Sequence, residues 1–63
     1  MHHDHLLFRE ISVQADRAQA IRPKSIRLKA IAESLHARFP HHSPSEIERQ
    51  CELVWRDRHL GWE

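Results

Sequence analysis

Phe39-Pro40-His41-His42-Ser43-Pro44-Ser45-Glu46 reads as one helix stopping and the next one starting. Pro40 has no N–H and pushes the residue before it out of the α region, so a helix arriving from upstream ends there. Ser43 is placed to cap the following helix. Pro44 suits its first position, and Glu46 completes a Ser-x-x-Glu capping box. A helical hairpin follows from this punctuation, and with it most of the fold. The chemistry does not follow.

Working outward, the spacing predicts three helices. The first covers about 5–20, with Asp4 as its cap. Leu7, Ile11, Gln14, Ala18 and Ile21 recur at alternating spacings of four and three, an amphipathic stripe that Phe8 and Ala15 widen. Pro23 then interrupts the pattern. The second helix is expected over about 23–38. Its core face is Leu28, Ile31, Leu35 and Phe39, with Ala32 beside them. Ile26, Ala30 and Ala37 form a weaker stripe elsewhere. The third is expected over about 44–60, with Ile47, Cys51, Val54 and Trp55 on its inner face. Gly61 would be its left-handed stop, and Trp62 would fold back on the last turn. The expectation is a single all-α domain over 1–63, a small three-helix bundle.

At 63 residues such a bundle has a thin core. One cysteine excludes an intramolecular disulfide as a staple. The bundle is therefore expected to be well packed or to share its core or one face with a partner chain. A single glycine and the lack of long Val, Ile and Thr runs alternating with polar residues argue against a β-rich fold. No apolar run approaches a membrane span and no signal-peptide core is present. The expectation is a soluble cytoplasmic protein with no membrane partner, and the unpaired Cys51 fits a reducing compartment.

The net charge of +1 is uninformative, but its distribution is not. Residues 1–16 carry −2, residues 17–38 carry +5 and residues 43–63 carry −2. Arg17, Arg22, Lys24, Arg27 and Lys29 form a basic corner around the start of the second helix, where the macrodipole disfavours cations. That placement suggests a use beyond stability: an acidic protein surface or a phosphate backbone. Nucleic acid is the alternative reading for this corner. It predicts binding that falls steeply with salt. A helix-turn-helix use of the third helix is disfavoured, because Glu46, Glu48 and Glu52 would face the phosphates. A solvated basic face that pairs with the acidic outer segments is the plainer account.

Leu53 and Leu60, seven residues apart, fall on the side of the third helix opposite Ile47, Cys51 and Val54. They are either two scattered surface leucines or an apolar strip that meets a second chain. Met1-His2-His3 matches the amino-terminal copper/nickel pattern, in which the free amine, two backbone nitrogens and the His3 imidazole make a square-planar site. The plainer account is an ordinary chain start. His36, His41 and His42 read as polar residues near the loop rather than zinc ligands. Cys51 reads as a small buried thiol. No nucleophile–base arrangement or phosphate loop is legible. The expectation is a non-enzymatic protein with no cofactor.

Ile31-Ala32-Glu33-Ser34-Leu35-His36-Ala37-Arg38-Phe39-Pro40, followed by Ser43-Pro44-Ser45-Glu46-Ile47-Glu48, resembles the helix-FP-turn-helix core of small, uncharacterised bacterial three-helix-bundle dimerisation domains. In that family the pair is followed by further helical sequence, whereas here a helix precedes it. The resemblance implies a helical interaction module and carries over no functional residues. The expected partner, met through Leu53 and Leu60 or the basic corner, is a second copy of the chain or another protein, in a regulatory role.

Overall fold

A computed structural model describes residues 5–21 and 26–62. The elements are α1 (His5–Ile21), α2 (Leu28–Arg38) and α3 (Pro44–Asp57), with no strand among the described residues. The expected all-α three-helix bundle is the observed fold. α3 packs against both other helices, most extensively against α2.

The hairpin forms as its punctuation dictates. Ser43 adopts an extended conformation and its Oγ accepts the Glu46 N–H at 3.1 Å, with Pro44 opening the helix. The other half of the box is replaced. The Glu46 carboxylate turns to His42 Nδ1 at 2.7 Å. His36 Nδ1 lies 2.7 Å from the His42 carbonyl, within hydrogen-bond reach. The two histidines that read as plain polar residues thus brace the turn between α2 and α3.

The core contains Leu7, Ile11, Ala15 and Ala18 from α1, Leu28, Ala32 and Leu35 from α2, and Ile47, Cys51 and Trp55 from α3. Ile31, Phe39 and Val54, expected inside, are only partly buried at its edge. On α2 the buried line runs Leu28–Ala32–Leu35, which leaves Ile31 to one side. On α1 the inner stripe is shorter than its sequence pattern, for Phe8 and Ile21 are exposed.

Two helix ends differ from expectation. α2 starts at Leu28 rather than near Pro23, because Arg27 is extended (φ −111°, ψ 104°). Residues 22–25, like Asp4, lie outside the described part. In a continuous helix Ile26 would sit about 200° round from Leu28, facing away from the core. The extended backbone lets it pack on the core instead. Ala30 and Ala37, the rest of the expected second stripe, are exposed.

α3 ends at Asp57 rather than Leu60, and its left-handed residue is His59 (φ 57°), not Gly61. The His59 N–H donates to the Arg56 carbonyl at 3.1 Å and the Leu60 N–H to the Trp55 carbonyl at 2.8 Å. That pair of bonds is a Schellman motif. The early stop turns Leu60 and Trp62 back onto the core, where both are partly buried.

Candidate interaction surface

The early stop of α3 changes what its two leucines can do. Leu53 is 54% exposed, as expected for the outer face. Leu60 is off the helix and packs on its own core, so the two do not form one strip. Leu53 stands alone on α3, and single exposed leucines are common.

The larger apolar exposure lies on α1, where sequence reading did not look for it. Leu6 (64%), Phe8 (58%), Val13 (42%) and Ile21 (67%) all face solvent. Leu6, Val13 and Ala20 are separated by seven residues each, so they lie along one line of the helix. Val13 follows the fully buried Ile11 by two positions, about 200° round, which puts this line on the far side from the core. The seven-residue spacing was the available signal. A reading that assigns one core stripe to each helix passes over it.

Ion pairs to the other helices bracket the line. On one side Arg38, at the end of α2, reaches Glu10 (Nη1–Oε2 3.2 Å, Nη2–Oε1 3.3 Å) and also lies 5.8 Å over the Phe39 ring. On the other side Arg58, which ends α3, pairs with Asp16 and donates to Gln19 Oε1 at 2.8 Å. Each bridge is partly exposed and contributes at most about 1 kcal/mol. Their positions define which face of α1 looks away from both neighbours. Arg9 and Arg17, beside the same line, have no ion-pair partner among the described residues.

In the basic corner, Arg17, Arg27 and Lys29 are exposed, while Arg22 and Lys24 lie outside the described residues. Arg27 occupies the N-cap of α2 without a side-chain cap bond, and no acid stands in the first turn. Between the end of α1 and the start of α2 lies a mostly apolar cavity of about 170 Å³. Its walls are Ala18, Ile21, Ile26, Ile31 and Trp55, with Gln14 and Arg17 as the polar part of the lining. Trp55 Nε1 is buried with no hydrogen-bond partner among the described residues.

His2 and His3 lie outside the described residues. Among the described residues, no group of three His, Cys, Asp or Glu side chains gathers in a metal-binding arrangement, and no helix is long and apolar enough to cross a membrane. Cys51 is buried, and that burial, reinforced by the Glu48 and Glu52 carboxylates, pushes its thiol up from 9.0 to about 11. No family model, curated protein or solved structure matches the chain.

Proposed function

We propose that this chain is a small, non-enzymatic protein-association module with a regulatory role, and that it self-associates through the outer face of α1. One observation carries the reading. Among the described residues, five large apolar side chains face solvent, and two of them, Leu6 and Val13, lie in line on the outer face of α1, while Phe8 and Ile21 are exposed at the edges of its inner stripe. A helix with apolar residues on both its inner and outer faces is half-satisfied in a lone three-helix bundle. A 63-residue chain also gains proportionally more from a shared interface than a larger domain would. Leu6 is 64% and Val13 42% exposed, so an interface gains only about half of the roughly 1.5–3 kcal/mol that full burial of each gives, and two copies of the pair would support a weak complex.

Light scattering across a concentration series tests the reading. The parent chain should change from monomer to dimer between about 50 µM and 3 mM, the range such modest burial allows. Leu6→Lys with Val13→Lys should stay monomeric with unchanged helicity. A parent chain that is monomeric throughout that range contradicts the proposal.

A further inference from the structure

The charges beside the outer face of α1 specify how two copies would meet. Leu6, Val13 and Ala20 run down its middle. Arg9 and Asp16 line one side, and Glu10 and Arg17 line the other. Each side therefore carries one cation and one anion, seven residues apart.

We infer that α1 pairs with α1 of a second copy in antiparallel orientation, with Val13 on the two-fold axis. The inference rests on the association reading of the same face. In an antiparallel pair, like flanks meet, and residues at matching distances from the axis in opposite directions become neighbours. Arg9 then lies beside Asp16 of the second copy, and Glu10 beside Arg17 of the second copy. All four contacts across the dimer join opposite charges. The two carboxylates keep their bonds to Arg58 and Arg38 within the chain, since a carboxylate accepts at several lone-pair positions. Arg9 and Arg17 each gain a carboxylate from the second copy.

A parallel pair would also join opposite charges, Arg9 to Glu10 and Asp16 to Arg17. Side-chain size and dipoles decide against it. Parallel pairing stacks Leu6 on Leu6 at one end and Ala20 on Ala20 at the other, which splays the helices. Antiparallel pairing sets each Leu6 against an Ala20, keeping the axes evenly spaced, and it opposes the two macrodipoles.

The test uses sedimentation of the full chain and a charge swap that separates the geometries. Arg9→Glu alone should weaken dimerisation about tenfold, because two favourable pairs become repulsive. Adding Asp16→Arg restores the antiparallel pairs, and although it breaks the bond to Arg58 within the chain, the double variant should bind several-fold more tightly than either Arg9→Glu or Asp16→Arg alone. In a parallel dimer the same double variant sets a carboxylate at position 9 against Glu10 and a guanidinium at position 16 against Arg17, and binding falls further. Circular dichroism reports whether each variant keeps its helices. As a second measurement, Leu6→Cys mixed with Ala20→Cys should form a disulfide-linked heterodimer under mild oxidation, with neither variant alone linking to itself. Loss of binding in the double variant, or self-linking of Leu6→Cys, overturns the antiparallel geometry while association itself stands. A dimer indifferent to Arg9→Glu and to Val13→Lys places the contact elsewhere and overturns the inference. A strictly monomeric parent overturns both this inference and the reading beneath it.

Discussion

The Leu60 amide donates to the Trp55 carbonyl at 2.8 Å, closing the last turn of α3 over a left-handed His59. A residue with a Cβ is strained in that conformation by roughly 1–2 kcal/mol, and glycine is not. Docking of Leu60 and Trp62 on the core holds the turn in place against that strain. His59→Gly should therefore stabilise the fold. The expected gain is about 0.5–1 kcal/mol, since glycine also adds freedom to the unfolded chain. Urea denaturation measures it. A clear loss of stability would mean that the His59 ring makes a contact worth more than the strain it causes.

Ser43→Ala should cost about 1 kcal/mol, because the Glu46 N–H would lose the hydroxyl that answers it. The loss should be confined to stability, with helicity unchanged at low denaturant. An unchanged denaturation midpoint would show that water replaces the cap at no cost.

At the start of α2 the sign reverses. Arg27 stands at the N-cap with no cap bond, and its carbonyl already accepts from Ala30 at 3.1 Å and Ile31 at 3.2 Å. Arg27→Asp should supply an acceptor for the free amides and a charge the macrodipole favours. A gain of about 1 kcal/mol in unfolding free energy is expected. If the variant melts lower, the arginine is itself structural. If the basic corner binds nucleic acid, the same variant should weaken that binding and flatten its salt dependence.

These cases show which parts of the fold were legible. The hairpin was readable because Pro40, Ser43 and Pro44 act through local backbone rules that hold whatever the rest of the chain does. The end of α3 was not. Gly61 is the better left-handed residue by propensity, yet the stop falls at His59, where it brings Leu60 and Trp62 onto the core. Tertiary burial outweighed local preference. The start of α2 moved for the same reason, to turn Ile26 inward. The outer line of α1 was present as a seven-residue spacing opposite Ile11, and the exposure of Leu6 and Val13 with Arg38 and Arg58 on either side shows that it faces away from the bundle.

Cys51 gives a prediction in pH. Its thiol is fully buried, and burial together with Glu48 and Glu52 raises it from 9.0 to about 11. The thiolate is the reactive form, so the folded protein should resist alkylation at pH 8, whereas the denatured chain should react as an ordinary cysteine. Linkage fixes the stability effect. Between pH 9.0 and about 11 the native state holds a proton that the unfolded chain has released. Stability from this group is complete below the unfolded value and is lost as pH rises through the folded one, by roughly 2–3 kcal/mol across the window. Cys51→Ala should be less stable at pH 7, through the small cavity it leaves, but should lose less stability on going from pH 8 to pH 11. Unfolding free energies of both proteins at the two pH values measure the difference. Equal slopes, or rapid alkylation of the native protein at pH 8, would show that the thiol reaches solvent by local opening of α3 rather than staying sealed in the core.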